Sequence, residues 1–382
     1  MVIFVFLQQV RMEFQWLLQA TKVPMLDNEA SYDVLSNRTT SDMVTDTTNE
    51  ANNKEPPIPL HKLAQSSQAA QMRCPEPLRL IQDVIVSDEQ TASRKIPRIL
   101  HMTAASRCNH PIFADNLRMT WRSVLTNYSF YFHDDQAVHD LLYGREWPEF
   151  PQLSFLLDAC ILPGYHQYRQ DSYMGAIMID VWRLLVLWEY GGIYADLDTA
   201  PNLDNFHETT ITNDMDALFV MDRLGSPSQW FMAVSPKHPL IYNSIVFLMR
   251  NMITFRGGEF RVVFMTGPGV IAQGFHAFHH FAKTQYEVEA GTYYHDYGTT
   301  LDSDNNNNPQ DLNRSVTILG DRHKENEYIV RVIPSVLNEN TKDEIYQTTN
   351  MTHLTKMNHY RNQSCLEALY QRVVLGVGSS SR

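Results

Sequence analysis

Between Ser172 and Tyr190 the chain reads SYMGAIMIDVWRLLVLWEY, apolar on nearly every side of a helix. A run of that length makes about five turns and predicts a buried helix rather than a surface one. Three charges interrupt it: Asp180 and Arg183, which share a face at i and i+3, and Glu189 near the end. Leaving a charge buried and unpaired costs several kcal/mol. Asp180 and Arg183 must therefore pair with each other or face a polar cleft, and the helix alone does not choose between the two. Gly191 and Gly192 stop the helix, because glycine readily takes the left-handed conformation at a helix C-terminus. From Ile193 to Asp198 the pattern changes to strand-like alternation. Ile193, Ala195 and Leu197 fall on one face; Tyr194, Asp196 and Asp198 fall on the other. The two carboxylates are thus expected to project together from a strand end, about 6.5 Å apart.

Similar apolar runs recur on both sides. IPRILHM, YSFYFHD, ALFVMD and WFMAVS read as strands, and they alternate with helix-like stretches. That order predicts a layered α/β sheet, with no internal repeat. Residues 27 to about 77 carry no sustained period and are rich in Asp, Asn, Thr, Ser, Gln and Pro. They read as a flexible segment, so residues 1–77 are expected to be a stem, residues 78–375 a catalytic body, and residues 376–382 a disordered tail. The start of the stem, VIFVFL, is broken by Gln8, Gln9, Arg11 and Glu13 well short of the ~20 apolar residues a spanning helix needs. It reads either as a degenerate signal-anchor, giving membrane association through the N-terminus, or as a plain amphipathic start. A second polar insert, LDSDNNNNPQDLNRS over Leu301 to Ser315, is expected to be a surface loop.

Charge narrows the partners. The 382 residues contain 43 acidic and 31 basic side chains, a formal net charge of −12, with no dense Lys/Arg run. Such a field repels polyanions and argues against nucleic-acid binding. A phosphorylated ligand would then need a divalent cation held by carboxylates. The four cysteines (Cys74, Cys108, Cys160, Cys365) include no CxxC pair, which argues against a structural zinc site and leaves disulfide pairing open. Five Asn-X-Ser/Thr sequons, at Asn37, Asn127, Asn313, Asn350 and Asn362, suit a lumenal or secreted protein.

In open α/β sheets ligands bind at the carboxyl ends of strands. There one carboxylate of Asp-X-Asp can hold a divalent metal while its neighbour reaches a ligand hydroxyl or a metal-bound water. The motif alone is common; its setting is more specific. Asp180, Arg183, the Gly-Gly stop and Asp196-X-Asp198, standing as IDVWRLLVLWEYGGIYADLDT, resemble the core of glycosyltransferase family 32, the DXD sugar-binding family. That family includes fungal initiating α-1,6-mannosyltransferases and inositol-phosphoceramide mannosyltransferases. KIPRILHMTAAS is similar to its opening strand, YSFYFHDD to its second strand and acidic end, QWFMAVSPKHPLI to a later segment with Gln229 at its Asn position, and MTGPGVI to its T-G-P element. Near the C-terminus NHYRNQSCLE offers His359 and Ser364 where relatives carry H-H-x-x-x-S-W, with Cys365 in the Trp position.

The resemblance implies a Rossmann-like A-type glycosyltransferase fold, α/β with a mixed, mostly parallel sheet flanked by helices. It implies metal-dependent, retaining transfer of a hexosyl group from a nucleoside diphosphate sugar (GDP-mannose or a UDP-sugar) to a glycan or glycolipid acceptor in the Golgi. Mn²⁺ or Mg²⁺ would be held by Asp198, with Asp196 and Ser364. Asp180, Arg183, Tyr194, Asp196, Gln229 and His359 would contact the donor, and Asp180, Arg183, Asp196 and Asp198 would form the catalytic set. Two other classes compete. One is a catalytically inactive, lectin-like binder of nucleotide sugars. The other is an Asp-based phosphotransferase, whose motif wants Thr or Val two residues after the second Asp, where this chain has Ala200.

Overall fold

The structure is a computed structural model, and it describes residues 58–64, 73–86, 94–104, 106–115, 120–157, 172–222, 225–254, 265–279, 288–295, 314–324 and 327–331. Its centre is a seven-stranded sheet built from β1 (Ile99–Thr103), β2 (Ser129–His133), β3 (Gly192–Ala195), β4 (Ala217–Met221), β5 (Pro227–Val234), β6 (Gly291–Tyr294) and β7 (Ser315–Leu319). The spatial order is β2-β1-β3-β5-β4-β7-β6. Parallel pairing joins β1 to β2 and β3, and β4 to β7; β5 runs antiparallel to β3 and β4, and β6 antiparallel to β7. Five of the seven strands therefore point the same way, the mixed, mostly parallel α/β sheet expected from the alternation of elements.

Connectivity fixes where a ligand can enter. From β1 the chain crosses outward to β2, then returns to place β3 on the other side of β1. The crevice at the carboxyl ends of β1 and β3 is thus the topological switch point of the sheet.

One face of the sheet carries Leu100, Phe130, Ile193, Ala195, Val220 and Phe231 into a single apolar cluster. Leu197 joins the same cluster, so the face assignment made from alternation holds. Against the opposite face pack α2 (Ser172–Tyr190) and α4 (Pro268–Phe278), with α3 (Pro239–Thr254) packed on both helices, while α1 (Asp135–Tyr143) lies beside α2 and β2. Gly274 lets α4 press onto α3: a Cβ there would overlap Ser244 Oγ and lie 2.9 Å from the Ser244 nitrogen.

Helix α2 spans the residues its apolar pattern predicts, and Gly191 ends it in the left-handed region at φ 62°. Gly192, at φ 94°, meets the side of β1, where a Cβ would sit 2.8 Å from the Ile99 carbonyl oxygen. His101 of β1 locks this corner. Its Nε2–H donates to the Gly191 carbonyl at 3.0 Å, which leaves its Nδ1 to accept from His133 Nε2 at 3.2 Å.

Burial lowers His101 to a pKa of about 4, against a small opposing effect of the Gly191 carbonyl. Burial also lowers His133, helped by His101 and Arg107, and His238, helped by Arg314. Below pH 6.5 the unfolded chain binds protons that these folded imidazoles refuse, so stability falls with falling pH. Asp180, raised by burial to about 6, works in the opposite direction, because its folded form keeps a proton that the unfolded chain loses above its ordinary value near 4. Three groups oppose one, each contributing about 1.4 kcal/mol per pH unit inside its window, so these four groups are expected to cost about 3 kcal/mol between pH 6 and pH 5. Chemical denaturation at the two pH values measures it; equal stability would contradict the buried neutral histidines.

The last part of the expected stem is not free of the body. Leu60–Ala64 is helical, Leu63 is buried, and Tyr190 Oη donates to the Ile58 carbonyl at 2.5 Å. Cys74 forms a disulfide with Cys108, 34 residues on. Residues 58–64 and 73–77 thus belong with the folded unit, and the boundary expected at residue 78 moves back to about Pro57. Short polar connections had hidden these anchors. A cross-link closing a loop of this size stabilises by about 3–4 kcal/mol. A chain starting at Pro57 should melt like the full chain, whereas one starting at Leu78 should melt roughly 10 °C lower. Equal melting of the two would remove the anchoring role. Ser315, expected in the polar loop, begins β7 instead, and residues 301–313 lie outside the described residues.

Candidate functional site

The chain after β3 departs from the expected strand. Pairing ends at Ala195, and residues 196–198 form a turn before the short strand Thr199–Pro201. Two bonds to the Asp196 carbonyl hold this turn, from the Thr199 amide at 3.0 Å and the Thr199 hydroxyl at 2.7 Å. The Asp196 amide donates to the Trp230 carbonyl at 2.9 Å. On the far side the Trp121 indole donates to the Thr199 carbonyl at 2.9 Å, and Thr199–Pro201 pairs antiparallel with Ile329–Arg331. Asp196 and Asp198 are both half-buried, while Leu197 between them enters the core. The Asp-X-Asp pair is therefore a rigid turn at the carboxyl end of β3, beside the switch point, and the strand spacing of its carboxylates does not apply.

Behind the turn lies a buried network. Arg183 Nη2 meets Asp180 Oδ1 at 3.1 Å, and Arg183 Nη1 meets Asp196 Oδ1 at 3.3 Å. The same Asp196 oxygen accepts from Tyr194 Oη at 2.7 Å. Arg183 Nη1 also donates to the Gln229 carbonyl at 3.2 Å, and the guanidinium carbon stands 4.7 Å over the Tyr194 ring. Asp180 Oδ2 accepts from Thr266 Oγ1 at 2.8 Å. Asp180 and Arg183 thus pair with each other, the first of the two readings left open, and Arg183 also reaches the turn through Asp196.

Burial raises the Asp180 carboxyl to about 6, with Arg183 and the Thr266 hydroxyl pulling it down. Burial disfavours the charged form of Arg183, but the acidic groups of Tyr194, Asp196, Asp180 and Asp198 more than offset this and hold it protonated. Burial also raises Tyr194 well above its ordinary value, so its phenol stays a donor to Asp196. The site thus sets Asp180 and Asp196 on one guanidinium, with Asp198 near enough to act on it, so acidic groups outnumber basic ones.

Tyr194 and Gln229, expected to contact a donor, both lie in this network, with the Gln229 amide turned inward to donate to the Thr266 carbonyl at 2.9 Å. His359 and Ser364 lie outside the described residues. The acidic end of YSFYFHDD does not join the site: Asp134 caps α1, accepting from the Ala137 amide at 3.0 Å. Thr266 and Trp121 carry no role in the sequence reading. The MTGPGVI element marked Thr266 by position, but nothing local showed its partner 86 residues earlier.

The donor set available to a cation is hard and anionic, two half-buried carboxylates at a strand end, which fits Mg²⁺ or Mn²⁺. Among the described residues no group of three His, Cys, Asp or Glu side chains converges, so a cation here would need further oxygen ligands from a bound ligand or from elsewhere in the chain.

An Asp-X-Asp turn thus stands at the switch point of a mixed α/β sheet, with a buried Asp–Arg pair behind it. Residues 84–216 match the family model described as "Glycosyltransferase sugar-binding region containing DXD motif", which stands as the resemblance implied. The matched span includes Asp180, Arg183, Tyr194, Asp196 and Asp198, and ends before Gln229 and Thr266. A curated relative, inositol phosphoceramide mannosyltransferase 1 of Schizosaccharomyces pombe, is 24% identical over 165 residues, covering 42% of this chain and 46% of that protein. The chain therefore matches less than half the length of this relative. Among solved structures the chain is similar to "PaToxG Glycosyltransferase", at 19% identity over 47% of this chain and 68% of that one, with a TM-score of 0.33.

Proposed function

We propose that this protein is a metal-dependent glycosyltransferase that moves a hexosyl group from a nucleoside diphosphate sugar to a glycan or glycolipid acceptor. The observation that carries the reading is the charge balance of the site: Asp180 and Asp196 pair with one guanidinium, and Asp198 acts on it from the same turn, at the switch point of an acidic protein. Such a site repels a bare diphosphate and attracts a divalent cation. Asp198, with Asp196, would hold Mn²⁺ or Mg²⁺, and Ser364 remains a proposed further ligand. When bound, the metal neutralises the charge that develops on the departing diphosphate.

The chain's own groups supply the rest. Tyr194 and Arg183 fix the Asp196 carboxylate in one orientation, so the edge of the site needs no reorganisation as charge moves. Asp180 accepts from donor-sugar hydroxyls, and His359 is proposed to complete the donor contacts. Transfer with retention follows when the acceptor oxygen bonds to the anomeric carbon on the face that the diphosphate leaves, its proton passing to the departing diphosphate oxygen.

The lipid branch of the acceptor class is supported by the name of the relative, an inositol phosphoceramide mannosyltransferase, whose product would be a glycolipid. Residence in the secretory pathway, with the Golgi as the proposed compartment, is supported by the Cys74–Cys108 disulfide, since such bonds persist in oxidising compartments. No helix among the described residues is long and apolar enough to cross a membrane, and the N-terminal apolar run lies outside them.

The test is purified protein with a panel of nucleotide sugars, assayed for nucleoside diphosphate release with Mn²⁺ and again with EDTA. Release with one donor that chelation abolishes supports the reading. Donor binding without release for every donor and acceptor offered would favour the inactive, lectin-like alternative.

A further inference from the structure

Thr266 is fully buried, one residue before the Gly267 N-cap of α4. Its hydroxyl donates to Asp180 Oδ2 at 2.8 Å, while Arg183 holds Asp180 Oδ1 at 3.1 Å. The Arg183 guanidinium also donates to the Gln229 carbonyl at 3.2 Å, and the Gln229 amide donates to the Thr266 carbonyl at 2.9 Å. Four residues from three elements thus close a ring around one carboxylate. Each Asp180 oxygen has its own partner, on a different element, so the carboxylate cannot turn about its last bond without breaking the Thr266 hydrogen bond or the Arg183 ion pair. The elements themselves are fixed. Gly274 seats α4 tightly on α3, and Gln229 lies in β5 between β3 and β4.

Packing alone would not call for a hydroxyl here, because valine has nearly the same shape as threonine. We propose that Thr266 is a positioning residue of the donor site, fixing the plane of the Asp180 carboxylate that meets the donor sugar, and that Gln229 fastens Thr266 rather than touching the donor. The inference rests on the proposed function through the contact of Asp180 with sugar hydroxyls. It revises the donor-binding role expected for Gln229, whose amide is turned into the ring and is 2% exposed.

The test is calorimetric binding, with Mn²⁺ present, of GDP-mannose and UDP-glucose on one side and GDP and UDP on the other. Thr266→Val is expected to weaken binding of the preferred nucleotide sugar about tenfold, the scale of a lost hydrogen bond to a charged group. It should leave nucleoside diphosphate binding unchanged. Thr266→Ser should stay within about twofold of wild type, because it keeps the hydroxyl. In an Asp180→Asn background Thr266→Val should add little, since the two changes remove one interaction. Equal loss for nucleotide sugar and nucleoside diphosphate, equal loss in the Ser and Val variants, or full loss in the Asn background would each overturn the proposal. If the Val variant does not fold, Thr266→Ala carries the same expectations. Wild-type protein that binds none of the four ligands would fail the functional reading and take the proposal with it; wild-type binding with no effect at Thr266 fails the proposal alone.

Discussion

Asp198→Asn is expected to reduce transfer by at least about 100-fold while leaving the melting temperature nearly unchanged. Removing one group that stabilises developing charge costs about 10²–10³ in rate. The substitution keeps the volume of a half-buried turn residue, and the turn is held by other bonds: the Thr199 amide and hydroxyl on the Asp196 carbonyl, and Trp121 on Thr199. Chelating the wild-type enzyme should reproduce the defect, because both changes remove the cation that Asp198 would hold. Wild-type turnover by the variant at saturating Mn²⁺ would take Asp198 out of the metal site.

Arg183→Ala should damage fold and activity separately. The guanidinium is the shared partner of Asp180, Asp196 and the Gln229 carbonyl, with only 11% of its side chain exposed. Taking away one member of a buried ion pair costs about 3–5 kcal/mol, since the charge left behind stays buried. Asp180 would answer by holding its proton more firmly. Changing Asp180 to Asn together with Arg183 to Met removes the stranded charge, so stability should recover in part. Recovery stays incomplete because the Gln229 carbonyl and Asp196 still lack their donor. Activity should not return. Denaturant unfolding with parallel transfer assays reads both effects; an active double variant would reduce the pair to a core ion bridge.

The parts of this protein that could be read from sequence are those fixed by local chemistry. The extent of α2 followed from an uninterrupted apolar run, and its end from Gly191 in the left-handed region. That Asp180 and Arg183 needed each other or a polar cleft was legible from two charges one turn apart in an apolar helix, while the pairing itself came only with the structure. The end of β3 was misread since Tyr194, Asp196 and Asp198 alternate as a strand would, whereas the chain leaves β5 after Ala195 to pair with Ile329–Arg331. That partner is more than a hundred residues away, and no local pattern announces it. The same holds for β6 and β7, which extend the sheet beyond β4 and flank the polar insert. Thr266 shows the limit most clearly: its element could be picked out, but its bond to Asp180 exists only because α4 packs on α3 and β5 while α3 packs on α2.

The most direct test of the central claim is titration of wild-type protein with GDP and UDP in the presence of Mn²⁺ and again after chelation, with Asp198→Asn as the control. A site whose acidic groups outnumber its one guanidinium should exclude a bare diphosphate, so binding is expected only with the metal and only when Asp198 is intact. Equal affinity with Mn²⁺ and with EDTA, or equal affinity in the variant, would contradict the metal–diphosphate site at the Asp196–Asp198 turn.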